Sequence, residues 1–346
     1  MWRRIFPRRK AMITRARPVP EASPAPVPQP ADPAAEDALP APSLEQISED
    51  FHRLVLDLPA ALSNDLSPSE SVMLKRMDRL AARFDLRSLP RLPSVLPQLL
   101  RTLKRDDAAG GELAKLIGRD PAMVGEVMRA TSTVYYRSVQ PIGSLRQAVV
   151  LLGQDGLRRV ITQHVMKPIL HTNAGTTGHA AGERLWEHAE RCAHVCAWLG
   201  RHMGCETFEA YLAGIVRNAG TGAMVRLLDQ LTLEQNSPPF SSSFIRSCVA
   251  LANQLSLQAA RQWALPPRVL QAMSECQHPI SPATSALGRA LSMADSIASA
   301  RMLIEHERIA ADTELGNHWP GITEPAVITR CQRDLERHFV FDTAEA

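Results

Sequence analysis

Two groups of residues in this sequence have types and spacings that bear on chemistry. His188 and Cys192 stand four apart on a helical stretch that also carries His194 and Cys196. An imidazole and a thiolate one turn apart can form half of a zinc site, but the ligand count is incomplete. The plainer reading is a polar histidine beside a buried thiol on an amphipathic helix. The second group lies in Tyr-Leu-Ala-Gly-Ile-Val-Arg-Asn-Ala-Gly, residues 211–220, where Arg217 and Asn218 close an apolar helical run. A His-Asp pair at such a corner could ligate a metal through its lone pairs. Arg217 donates hydrogen bonds only, and Asn218 offers at best a weak neutral carbonyl. This pair cannot hold a metal. From the stretch alone, the expected arrangement is a helix end with solvated polar side chains at the rim of a core. No nucleophile constellation, phosphate loop or dinucleotide fingerprint accompanies these groups, and the glycines are scattered.

The elements that must position these side chains read as helices throughout. Apolar residues make up 45% of the 346 and aromatics only 5%, with Ala and Leu dominant, which favours helix over sheet. Capping boxes mark helix starts at Ser43 with Gln46, Ser67 with Glu70, and Ser144 with Gln147, and Asp120-Pro121 caps another. Helices are expected over about 44–57, 67–81, 93–104, 112–118, 121–130, 145–152, 156–170 and 185–202. Further ones follow at about 242–254, 256–263, 266–275, 284–306 and 326–338. Leu89-Pro-Arg-Leu-Pro93 reads as a rigid extended entry, Tyr135 and Tyr136 sit in a polar connection, and Thr172 to Gly182 reads as a loop that could hinge two lobes.

The net charge of +3 hides an asymmetry. Residues 1–17 hold seven of the 39 Lys and Arg and no acid, leaving 32 basic against 36 acidic residues, a net of −4 for the rest. The body is therefore not a nucleic-acid platform, and no specific nucleic acid is expected as a partner. The basic tail interleaves Trp2, Ile5 and Phe6 with cations, a pattern suited to an anionic membrane surface, although a basic disordered terminus is the plainer reading. Residues 18–43 contain nine prolines and form a semi-extended tether. Cys192, Cys196, Cys205, Cys248, Cys276 and Cys331 show no CxxC spacing and read as reduced thiols of a cytosolic protein. No apolar run reaches the length of a membrane helix.

Several motifs then fall in order: Leu-Pro-Arg-Leu-Pro (89–93), Ile-Gly-Arg-Asp-Pro-Ala (117–122), Tyr-Tyr (135–136) and Pro-Ile-Gly-Ser-Leu-Arg-Gln-Ala-Val-Val-Leu-Leu-Gly (141–153). Over roughly residues 89–300 this series resembles the HDOD domain, a bacterial all-helical signalling module related to the HD metal-dependent phosphohydrolases. The resemblance implies a two-lobed all-α fold, with lobes about 89–171 and 183–300. A tail (1–43), an N-terminal helical extension (44–88) and a C-terminal helical extension (301–346) would flank it. It also places His188 at the first metal-ligand histidine of the HD superfamily, Arg217 and Asn218 at its His-Asp doublet, and Asp295 at its distal aspartate. His278 matches the survivor of a histidine pair that some relatives keep, and Thr221 stands where Lys is common.

With the doublet replaced, the resemblance implies that these positions are relics of a metal site. No catalytic residue, bound metal or cofactor is expected, and the protein reads as no enzyme. A carboxylate left without its metal needs another partner. The expectation is that Arg217 pairs with Asp295 while Asn218 bridges to His188. The resemblance implies a cytoplasmic bacterial regulatory protein that binds another signalling protein or a small ligand, and the composition of residues 1–17 would suit them to the inner membrane surface. The alternative is a metal-dependent phosphohydrolase using His188, His278 and Asp295.

Overall fold

A computed structural model describes residues 42–83, 114–115, 117–118, 120–131, 142–170, 175–232 and 240–339, which belong to one compact unit. The basic tail, most of the proline tether, the entry at 89–93, the helix expected at 93–104 and the Tyr135–Tyr136 connection lie outside the described residues. Every regular element among the described residues is helical: α1 (Leu44–Val55), α2 (Pro68–Arg83), α3 (Pro121–Thr131), α4 (Leu145–Leu170), α5 (Gly175–His202) and α6 (Thr207–Val216) come first. They are followed by α7 (Ala219–Thr232), α8 (Ser242–Gln262), α9 (Pro267–Glu275), α10 (Ala286–Glu305), a 3-10 turn (Gly316–His318) and α11 (Pro325–Phe339).

The starts obey local chemistry. Ser43 and Gln46 form a reciprocal capping box at α1. Ser67 and Glu70 do the same at α2, the Glu70 amide donating to the Ser67 hydroxyl and the Ser67 amide to the Glu70 carboxylate. Asp120 accepts from the amides of Ala122 and Met123 at α3. At α4 the box is displaced by one residue, because the Gln147 side chain accepts from the Gly143 amide rather than from that of Ser144. Gly153 interrupts α4 with φ +63°, a left-handed conformation that glycine adopts without a Cβ penalty, so the two expected helices run on across a kink.

Two expected breaks are absent. Helix α5 starts at Gly175, so the proposed hinge loop to Gly182 is mostly helix. Helix α8 continues through Leu255-Ser256, because Leu255 and Ser256 are both buried against neighbouring helices and tertiary packing overrides weak local signals.

The apolar side chains form two cores. A small one joins Ile117, Met123 and Val127 to Ala148, Leu157 and Ile161 of α4. The larger one gathers α5 to α10 around α5, the long helix that contacts α1, α4, α6, α7, α10 and α11. Met166, Ile169 and Leu170, at the end of α4, belong to this second core, so α4 ties the lobes together.

The segment read as an N-terminal extension shares that larger core through Ile47, Phe51, Leu54, Val55 and Met77. Buried polar bonds fix it as well. Arg53 donates to the carbonyls of Pro59 and Phe240 and to Glu49, while Glu70 accepts from the Ser241 amide and hydroxyl. In α11, Ile328, Cys331 and Leu335 join the same core.

Candidate functional site

Helix α6 brings the polar pair to its place. Phe208 and every residue from Ala210 to Val216 are buried, so this helix is enclosed on all sides rather than on one. Gly214 permits a close approach to α5, since a Cβ there would stand 2.5 Å from the Ala193 Cα. The chain then turns at Arg217-Asn218 directly into α7. The expected solvated helix end is therefore incorrect: Arg217 is 7% exposed and Asn218 3%. A wholly internal helix delivers its last residues into the core, and two polar side chains there must find partners.

They find His188 and Asp295, two of the other predicted residues. The Arg217 guanidinium reaches the Asp295 carboxylate at 3.0 Å and donates to the Asn253 side-chain oxygen at 2.8 Å. The Asn218 amide donates to Nδ1 of His188 at 3.0 Å and, at 3.4 Å, to Asp295. An accepting Nδ1 assigns the proton of neutral His188 to Nε2, which faces the Ser299 hydroxyl at 3.1 Å and Asp295 Oδ1 at 3.5 Å. Four helical segments thus converge: α5 with His188, the α6–α7 corner, α8 with Asn253, and α10 with Asp295 and Ser299. His278 stays apart. It is exposed in the turn after α9, and among the described residues no side-chain bond joins it to this cluster.

Electrostatics follow from the geometry. Burial, the largest single influence, would lower the Arg217 guanidinium, but the Asp295 carboxylate, its hydrogen bond and the nearby Cys276 and Cys192 thiols together raise it overall. Burial, the largest single influence, would raise Asp295, and Arg217 together with His188, His52 and the Asn218 hydrogen bond holds its carboxyl below the usual range. Fully buried His188 is pushed down to about 4 by desolvation, against the pull of Asp295. Burial likewise pushes the Cys192 thiol well above its ordinary range, which disfavours the thiolate that a zinc ligand must be.

The chemistry of this donor set does not fit a metal ion. A cationic side chain sits on the carboxylate, an amide hydrogen blocks the His188 Nδ1 lone pair, and Nε2 carries the ring proton. Among the described residues no three His, Cys, Asp or Glu side chains are arranged to hold one.

Several participants have no advance signal in the sequence. Phe51 of α1 lays its ring on that of His188, with centroids 4.3 Å apart and planes at 36°. Its neighbour His52 is buried; Nδ1 donates to the Ser48 carbonyl at 2.7 Å, which leaves Nε2 an acceptor without a hydrogen-bond partner. Asn253 likewise carries no motif, whereas Ser299 was findable as one turn from Asp295 on the same helix. The Thr221 hydroxyl is buried and unpartnered near the start of α7.

The family model for the HDOD domain matches residues 89–279, more than half of the chain. The chain belongs to the HDOD family. His188, Arg217 and Asn218 fall within the HDOD segment, whereas Asp295, Ser299, Phe51 and His52 lie outside its matched limits. The HDOD fold recurs in a crystal structure of an HDOD domain protein from Geobacter sulfurreducens, at TM-score 0.55 and 17% identity over 78% of this chain and 99% of that one. A provisionally named signal transduction protein from Marinobacter aquaeolei VT8 gives 0.53 and 19%, over 80% of this chain and 64% of that one. A provisionally named phosphohydrolase from Shewanella amazonensis SB2B gives 0.51 and 17%, over 76% and 94%. A curated, uncharacterized protein of Treponema pallidum (strain Nichols) is 24% identical over 237 residues, 65% of this chain. The chain spans 45% of that relative's length. Among the described residues no helix is long and apolar enough to cross a membrane.

The buried histidines of the cluster, and a second pair where α5 meets α11, give the fold a pH dependence. His188, His52, His194 and His338 all have depressed values, burial being the leading cause in each. Such groups are neutral when folded but protonated when unfolded between the folded value and the ordinary 6.5, so the unfolded chain binds more protons there and acid destabilises the fold. Stability should be fully present above pH 6.5 and fall continuously towards pH 4, with His188 alone contributing roughly 3 kcal/mol. His338 is exposed, so its share is smaller. Thermal melts from pH 4 to 8 check this, and a flat profile would contradict it.

Proposed function

We propose that this HDOD protein is a non-catalytic regulatory module of bacterial signalling that acts by binding another protein or a small ligand. One observation carries the reading: the Arg217–Asp295 ion pair, with the Asn218–His188 bond beside it, sets paired side chains between the helices, with the buried Arg217 Nε the one guanidinium nitrogen left without a hydrogen-bond partner. Hydrolysis assisted by a metal needs several lone-pair ligands and an open position for water. Here the Asp295 carboxylate is neutralised by a guanidinium, and the His188 imidazole is pinned from both ring nitrogens. Such an arrangement joins helices far apart in the chain and leaves the outer surfaces of the lobes to recognise a partner.

The test is an assay of the full-length protein against bis(p-nitrophenyl) phosphate, nucleoside monophosphates, and cyclic mono- and dinucleotides, with Mg²⁺, Mn²⁺, Fe²⁺ or Zn²⁺ supplied. No turnover above that of a His188→Ala control is expected. Metal-dependent turnover that His188→Ala abolishes would instead establish a phosphohydrolase with an atypical site.

A further inference from the structure

Helix α1 lies outside the family's matched segment, yet it covers the cluster. Its inner face presents Ile47, Phe51, Leu54 and Val55, the apolar stripe of an amphipathic helix, and Phe51 rests on the ring of fully buried His188. Arg184 of α5 holds the far end, donating to the Leu54 carbonyl at 2.6 Å and pairing with Asp57 at 3.3 Å. The fit is incomplete at one point. His52, next to Phe51, keeps its Nε2 lone pair buried and unmatched, a cost present only while the helix is docked. The Asp295 side chain is 23% exposed, so the cluster already lies close to solvent.

We propose that α1 is a reversible cap, a segment of this chain whose undocking uncovers the His188 ring and admits a small polar ligand to the cluster. The proposal rests on the binding-module reading and supplies its regulation. The apolar stripe keeps the cap closed at rest, while the unmatched His52 lone pair and the bonds of Arg53 and Arg184 to main-chain carbonyls are all interactions that water can replace on opening. Helix α1 packs against α5, α8 and α10, while α5 also packs directly on α6, α7 and α10, and α8 on α7, so these helices stay in place in the proposed opening.

Native-state hydrogen exchange of the unmodified full-length protein, read by mass spectrometry, tests this directly. Amides of residues 44–55 should exchange at least tenfold faster than those of α6 and α7, in a step that leaves α6 and α7 protected. Phe51→Ala should speed exchange in α1 by a further tenfold or more, with α6 and α7 unchanged. Exchange of α1 only together with α6 and α7, or equal acceleration of all three by Phe51→Ala, would show that α1 is a permanent part of the core and overturn the proposal. Neither result depends on whether the protein hydrolyses phosphate esters, so the two readings fail separately.

Discussion

Replacing Arg217 with alanine is expected to destabilise the fold by about 3 kcal/mol or more, because it strands the Asp295 carboxylate without its countercharge. The loss also frees the side-chain oxygen of Asn253, which accepts from the same guanidinium. Part of the penalty belongs to the unpaired charge rather than to the bond. A second change, Asp295→Ala, in the Arg217→Ala background should therefore recover part of the lost stability. Denaturant unfolding of the two single variants and the double variant forms a cycle that isolates this coupling. Strict additivity, or an unchanged midpoint for Arg217→Ala, would mean that the pair does not hold the helices together.

The second large effect is expected at Gly220, two residues beyond Asn218. A Cβ at this position would collide with the Ala252 carbonyl oxygen and the Ser256 nitrogen, and would stand 2.8 Å from the Leu255 carbonyl carbon. All three atoms are backbone of α8, so no side chain can swing away to make room. The Gly220 amide also donates to the Ser256 hydroxyl at 2.8 Å, which fixes the approach of α7 to α8. Gly220→Ala must push these helices apart and should cost more than about 3 kcal/mol, at the upper end for overpacking a core. Gly125→Ala is the control. It sits on the exposed face of α3 with nothing within 4 Å of an added Cβ, so it should be neutral or slightly stabilising. Similar destabilisation by both changes would deny the close approach a special role.

Much of this arrangement was legible in the sequence, and the reasons differ by residue. Helix starts at Ser43, Ser67 and Asp120 were readable because capping is a contact between residues two or three apart. The meeting of His188, Arg217, Asn218 and Asp295 was readable only through the family resemblance, since no local rule connects residues so far apart. Burial of the Arg217-Asn218 pair was misread from the stretch itself. The apolar residues of 211–216 have the spacing of one side of an amphipathic helix, but small residues at Ala210, Ala213 and Gly214 let neighbours close over the other side. His278 carried a family signal but lies exposed, because nothing in the sequence placed the turn after α9 relative to the cluster. Phe51, His52 and Asn253 gave no signal at all. Their roles come from tertiary packing of α1 and α8, and an isolated aromatic or amide in a helix usually means only core or surface.

The central claim is that Arg217 and Asn218 occupy the cluster in place of a metal ion. Its most direct test is the metal content of full-length protein, prepared without chelators or affinity metals and measured by elemental mass spectrometry. The account predicts transition metal well below stoichiometric amounts, unchanged by adding Mn²⁺, Fe²⁺ or Zn²⁺ and desalting. Tightly held metal at about one or two ions per chain, lost in His188→Ala, would contradict it.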